Sequence, residues 1–209
     1  MILTFLLTAL CSAGQLINQE YLISFRDTSV DLYGYKTKKG KIIIPAKYVL
    51  VMNDTFYNFA LVADDRGWVG IDRNDSIILR PFIFDNEPDD AREAMFRFEE
   101  NGKMGFANLN GIKVIPAVFD FVEPFKNGYA AFNTGGYKEA KGEHWFWRGG
   151  LWGFINKNGN VIIEPQFENF TLKDKKYIQA YTKDGRLAFI NEHAQIVKVT
   201  KMKKQAHKN

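Results

Sequence analysis

Short apolar runs bounded by turn residues recur along this chain. Lys41-Ile42-Ile43-Ile44 and Val161-Ile162-Ile163 are examples, and each predicts a largely buried strand. Ahead of such runs stand triplets with bulky residues two apart around a small one: Tyr33-Gly34-Tyr35, Met104-Gly105-Phe106 and Trp152-Gly153-Phe154. That spacing predicts a period-2 strand with one bulky face, and the small middle residue predicts close approach of a neighbouring backbone. Between triplet and run, Asn108-Leu109-Asn110-Gly111 and Asn156-Lys157-Asn158-Gly159 read as hairpin turns, with Gly supplying a positive φ. A third apolar segment follows (Tyr57 to Val62, Met95 to Phe98, Tyr129 to Phe132, Tyr177 to Tyr181), then a Gly-containing turn such as Asp65-Arg66-Gly67 or Asn101-Gly102.

Aligned on Tyr33, Trp68, Met104, Trp152 and Leu187, the pattern starts five times, at spacings of 35, 36, 48 and 35 residues. The second position holds Gly34, Val69, Gly105, Gly153 and Ala188, and the third Tyr35, Gly70, Phe106, Phe154 and Phe189. Seven residues past the start lie Gly40, Asp75, Gly111, Gly159 and Ala194. Pro45, Pro81, Pro116 and Pro165 follow in all but the last copy, where they are expected to end ladder pairing. Fifteen past the start come Tyr48, Ile83, Phe119, Phe167 and Met202. The reading is an all-β domain over residues 15–200, made of five repeats of about 35 residues with three antiparallel strands each. Tyr21-Leu22-Ile23-Ser24-Phe25 precedes the first copy as an orphan third strand, and the fifth copy lacks one of its own. Sharing a unit between the two ends predicts a closed, propeller-like ring, with an open β-repeat array as the alternative.

Gly149 to Gly159 with Val161-Ile162-Ile163 and Pro165-Gln166-Phe167-Glu168, and Gly102 to Ala107 with Val114 to Asp120, resemble the bacterial WG-repeat family. The resemblance covers about residues 30 to 197 and departs from the family's pattern at Tyr33, Val69, Met104 and Leu187. It implies a β-rich repeat protein, often exported or surface-associated, and carries over neither an activity nor a ligand.

Composition supports strands: 15% of residues are aromatic, and 46% are apolar, enough for a sizeable core. The net charge of +4 is misleading, because Lys198, Lys201, Lys203, Lys204 and Lys208 crowd the C-terminal end. The folded body is close to neutral and residues 201–209 form a basic tail, which argues against a nucleic-acid partner. Met1 to Gly14 carry no charged side chain, hold the apolar run Ile2 to Leu7, and end on Ser12-Ala13-Gly14. This predicts a signal peptide over residues 1–14 and an exported protein, periplasmic or extracellular, without a transmembrane segment. Cys11 falls within it and follows Leu10, where a lipoprotein signal needs a small residue. The remaining chain then has no disulfide, thiolate nucleophile or cysteine metal site.

The residues do not assemble into a catalytic set. His193 falls in a hairpin turn, His207 in the basic tail, and no pair of histidines has metal-ligand spacing, so neither metal nor cofactor is expected. The acidic stretch Asp85-Asn86-Glu87-Pro88-Asp89-Asp90 lacks the Gly and alternation of a calcium loop and reads as a solvated loop, with Arg92 and Glu93 pairing locally. The 48-residue spacing leaves about 13 extra residues between Thr134 and Gly150, flanked by Gly135-Gly136 and Gly149-Gly150. They bring Tyr137, His144, Trp145, Trp147 and Arg148, the candidate ligand-binding residues, since indole and phenol rings suit a protein or glycan partner. The competing expectation is that Trp145 and Trp147 cover the end of a neighbouring unit. The leading functional reading is a non-catalytic binding or scaffold repeat protein. The alternatives are a carbohydrate-active hydrolase with two carboxylates drawn from Asp85, Asp89, Asp90, Asp120, Glu123 and Glu143, and a purely structural envelope component.

Overall fold

The computed structural model describes residues 20–172 and 177–201. The expected signal peptide and almost all of the basic tail therefore lie outside the described residues. The described residues form two compact units, divided between Ile78 and Leu79, and every sheet among them is antiparallel.

The first unit holds β1 (Leu22–Asp27), β2 (Leu32–Thr37), β3 (Ile42–Tyr48), β4 (Leu50–Val51), β5 (Thr55–Phe56), β6 (Ala60–Asp64) and β7 (Gly67–Ile71). The strands β3-β2-β1-β5 lie side by side in that order, and β6 pairs with both β7 and β4. Leu22, Tyr35, Ile44, Val62 and Ile71 are fully buried in its core, where Tyr35 meets Phe56 edge-on at 4.8 Å. The strand β8 (Ile77–Pro81) runs across the boundary. The second unit follows with β9 (Ile83–Phe84), β10 (Glu87–Pro88), β11 (Met95–Glu100), β12 (Lys103–Asn108), β13 (Lys113–Phe119) and β14 (Phe121–Val122). Its last strands are β15 (Tyr129–Lys141), β16 (His144–Asn156), β17 (Val161–Leu172), β18 (Tyr177–Thr182), β19 (Arg186–Asn191) and β20 (Ile196–Lys201). They form one continuous sheet from β14 to β20, and a core with Phe106, Phe154, Phe167 and Ile190 at its centre.

The turn chemistry recurs five times. The seventh position of each copy has a positive φ: Gly40 85°, Asp75 66°, Gly111 73°, Gly159 80° and Ala194 55°. Three residues earlier stands an oxygen-bearing side chain that accepts turn N–H groups. Asn108 Oδ1 accepts from Asn110 and Ile112, Asn156 from Asn158 and Asn160, Asn191 from His193 and Gln195, and Asp72 from Asn74 and Ser76. Thr37 Oγ1 does the same for Lys41. These side chains brace each hairpin turn through contacts within the turn itself.

The small second position has the cause the sequence suggested. Tyr33 faces Tyr48 and Tyr35 faces Ile44, so two residues of β2 span four of β3 across a wide bulge containing Pro45. The same offset recurs where Met104 and Phe106 face Phe119 and Ile115, and where Trp152 and Phe154 face Phe167 and Ile163. The bulge drives the partner backbone into the glycine. A Cβ on Gly34, Gly105 or Gly153 would stand 2.4–2.5 Å from the carbonyl oxygen of Ile44, Ile115 or Ile163. The last copy has neither glycine nor proline, and there Ala188 sits in an ordinary ladder opposite Val199. Pro81 closes β8, as expected from sequence, but Pro45, Pro116 and Pro165 do not end pairing. Each of these three marks the bulge within its strand, after which pairing resumes.

The phase of the repeat also differs from the one read in the sequence. The apolar segment taken as the third strand of one copy pairs with the first strand of the next: β1 with β2, β6 with β7, β11 with β12, β15 with β16 and β18 with β19. The stretch expected to be an orphan thus forms β1, the opening strand of the first meander, and the final meander β18-β19-β20 is complete. With no orphan to place and no vacancy to fill, the reason for a ring disappears, and among the described residues no sheet closes on itself. Past its bulge, the third strand of a meander passes to the following one in three places. The segment β4 pairs with β6, β14 with β15, and the far half of β17 with β18.

Candidate functional site

The extra residues of the 48-residue interval lengthen one hairpin. The ladder of β15 and β16 runs from Tyr129↔Asn156 out to Lys141↔His144, making an arm that ends in a turn at Gly142. Near its base the arm bends. Gly135, Gly149 and Gly150 all have positive φ, and a Cβ on Gly150 would lie 2.3 Å from Asn133 Oδ1. Asn133 is fully buried and clamps the bend: its Oδ1 accepts from Gly136 N–H at 3.0 Å, and its Nδ2 donates to Gly149 O at 3.2 Å. Asp120 Oδ2 accepts from Gly135 N–H at 2.6 Å. The ion pair with Lys103 holds the Asp120 carboxyl below the usual carboxylate range, with the Gly135 N–H assisting.

Alternation along the arm divides the candidate residues. Trp145 and Trp147 are half-buried and pack against the core of the second unit, as the covering role anticipated. The Trp147 ring stacks on Phe121 at 4.9 Å and 19°, while Trp145 meets Phe121 and Phe82 edge-on at 5.8 and 6.0 Å. Tyr137, His144 and Arg148 are exposed, and Arg148 pairs with Glu139 at 2.9 Å. The five residues therefore do not converge on one point. Two face the body, and three do not.

What the arm creates is a cleft of about 660 Å³. Phe82, Phe121, Trp145 and Trp147 wall it, with Arg97, Asp89 and Glu123 among its polar lining. Arg97 is buried with its guanidinium 4.3 Å from the centre of the Phe82 ring. Its Nε meets Asp89 Oδ2 at 2.6 Å, and its Nη1 donates to Val122 O at 2.9 Å. Asp89 Oδ1 and Trp147 Nε1 are buried without a hydrogen-bond partner. Burial pushes the Asp89 carboxyl up, and Arg97 only partly offsets this. Burial likewise pushes Glu123 up, with Arg97 opposing and Asp89 reinforcing the shift. A second cavity of about 650 Å³, lined by Phe125, Tyr129, Phe154 and Phe170, shares Arg92, Glu123 and Pro124 with the first.

The acidic stretch is solvated only in part. Asp85, Glu87 and Asp90 are exposed and Arg92 pairs with Asp90 at 3.2 Å, but Asp89 turns inward with 8% of its side chain exposed. Phe82, Arg97 and Phe121 were not singled out from the sequence. The available signal was Arg97 itself, a single cation inside the apolar run Met95-Phe96-Arg97-Phe98, which needs a buried partner. Asp120 and Glu143 stay outside the cleft lining, and among the described residues no cluster of His, Cys, Asp and Glu has metal-binding geometry.

The repeated bulge, with its glycine and its aromatic neighbours, coincides with a known pattern. The profile described as WG containing repeat matches residues 33–68, 104–137 and 152–171. The chain carries WG repeats. The three matched stretches of this WG-repeat protein each open on one of the bulge-forming triplets. No curated protein matches it. Among solved structures it is similar to the computationally designed Ika8 protein, at 7% identity and a TM-score of 0.33, over 88% of this chain and 59% of that one. It is also similar to the WD40 β-propeller domain of Doa1, at 10% identity and a TM-score of 0.24, over 70% of this chain and 63% of that one. The WG-repeat chain thus spans less than two thirds of either, and likenesses this low do not bear on its architecture. Among its described residues no helix is long and apolar enough to cross a membrane.

Proposed function

We propose that this WG-repeat protein is an exported, non-catalytic binding module built from five repeats, and that its ligand enters the cleft beneath the β15–β16 arm. The observation that carries the reading is the combination of four aromatic walls with a buried Arg97–Asp89 pair and a half-buried Glu123. Apolar walls with a few convergent polar groups are the usual make-up of a binding cleft. Export rests on the uncharged, apolar Met1 to Gly14 segment. The test is a panel of immobilised peptides and oligosaccharides probed with the wild-type chain and with Trp145→Ala/Trp147→Ala. A signal retained by wild type and lost by a variant with unchanged far-UV circular dichroism supports the cleft. Equal signals from both proteins would put the ligand elsewhere.

One observation favours the hydrolase alternative: Asp89 and Glu123 line the same cleft, and both carboxyls are pushed up. Against it, Asp89 Oδ2 is held by Arg97 and Oδ1 is buried, so neither oxygen is positioned to attack a sugar or to take a proton from a water. Turnover of aryl glycosides by wild type that disappears in Glu123→Gln would establish the hydrolase instead.

A further inference from the structure

We infer that the cleft beneath the arm receives a positively charged nitrogen, an alkylammonium or guanidinium group, seated against the aromatic walls and paired with Glu123; this rests on the cleft being the binding site. The charge of the lining points that way. Five carboxylates (Asp85, Glu87, Asp89, Asp90 and Glu123) face two guanidinium groups, and both of these are already engaged, Arg97 with Asp89 and Arg92 with Asp90. Among the described residues the Glu123 carboxylate, half-buried in the lining, has no ion-pair or hydrogen-bond partner and feels Arg97 only through its field.

A second observation is independent of that surplus. The Asp89 side chain is 8% exposed, borders the cleft, and leaves Oδ1 with no donor. A buried acceptor without a donor costs stability, and a cation seated in the cleft would offset its negative charge without contacting Oδ1. The walls suit the same class. Cations already lie over aromatic rings here, Arg97 at 4.3 Å from Phe82 and Lys138 at 4.7 Å from Trp145. An anion would meet the surplus carboxylates, and a neutral sugar would leave the partly desolvated Glu123 charge with only Arg97, already paired to Asp89, to offset it.

The experiment titrates the full chain with spermidine, with a short lysine- and arginine-containing peptide, with the same peptide acetylated on its lysines and with citrulline in place of arginine, and with maltotriose. Binding is read by tryptophan fluorescence and calorimetry. The expected result is binding of both cationic probes, weakened by about tenfold or more in Glu123→Gln and unchanged in Glu168→Gln. Tighter binding of spermidine would assign the site to free polyamines, and tighter binding of the peptide to basic side chains of a protein. Neutralised peptide or maltotriose binding as well as the cations, with loss in Trp145→Ala/Trp147→Ala, would overturn the inference and leave the binding module standing. Cations binding Glu123→Gln as tightly as wild type would overturn it as well. Silence from every probe would overturn both.

Discussion

Replacing Arg97 with methionine tests the polar centre of the cleft. Methionine fills the volume of the stem but removes the 2.6 Å pair with Asp89 and the 2.9 Å donation to Val122 O. With side-chain exposures of 6% and 8%, neither partner has water to turn to, so Asp89 becomes a buried, unpaired charge. Breaking such a pair costs about 3–5 kcal/mol. For a chain of this length that corresponds to a fall in Tm of roughly 6–20 °C. Scanning calorimetry and guanidinium denaturation read it, and Arg97→Met/Asp89→Asn completes the cycle. The double variant is expected to recover a large part of the loss, because both buried charges are gone. The deficit of the single variant also has a definite pH dependence. Without Arg97, burial alone sets the Asp89 carboxyl and raises it further above its unfolded value. The variant then loses stability relative to wild type as pH rises through that window. A loss below about 1 kcal/mol, or strictly additive single and double effects, would refute the account.

Three further outcomes follow from the same geometry. Burial raises the folded-state carboxyl of Glu123, so the wild type loses stability as pH rises through and above the ordinary glutamate range. Glu123→Gln is therefore expected to be more stable than wild type at pH 7 and equal to it well below that range, as read by urea midpoints at both. Gly105→Ala places a Cβ 2.4 Å from Ile115 O and is expected to cost about 2–3 kcal/mol, whereas Ala188→Gly, in the copy that lacks the wide bulge, should cost about 1 kcal/mol or less, both by denaturant titration. Gly136→Ala puts a Cβ 2.2 Å from Trp147 Nε1, so the arm should lift from Phe121 and the tryptophan emission shift to the red.

Much of the fold was legible because the signals are local. Turn glycines at fixed offsets, triplets around a small residue and apolar return runs each state a backbone requirement that neighbouring residues satisfy. The phase of the meanders was not legible, because the turns at Asp65-Arg66-Gly67 and Asn101-Gly102 have the same chemistry whether they join repeats or lie within one. Only the cross-strand partners distinguish the two. Proline was misread for a related reason: a residue without an N–H marks a bulge as readily as a strand end. At the site, the glycine-bounded insertion was found, and so was the covering role of its tryptophans. The cleft was not, because Phe82, Asp89, Arg97, Phe121 and Glu123 come from four separate segments, and their meeting depends on how β14 crosses to β15.

The passing of a bulged third strand to the following meander bears on how the molecule yields. In the second unit β17 is hydrogen-bonded to β16 by its first half and to β18 by its second, so neither meander can open without stripping the edge of the other. Deprotection of amides in β16 and in β18 should then occur as one event rather than two, and a protease that nicks one should release both. Repeats that look separable in the sequence are woven at the level of single strands. A truncation placed at a sequence-repeat boundary, such as just before Leu187, would leave β18 without its partner β19 and uncover a raw sheet edge open to pairing with another chain.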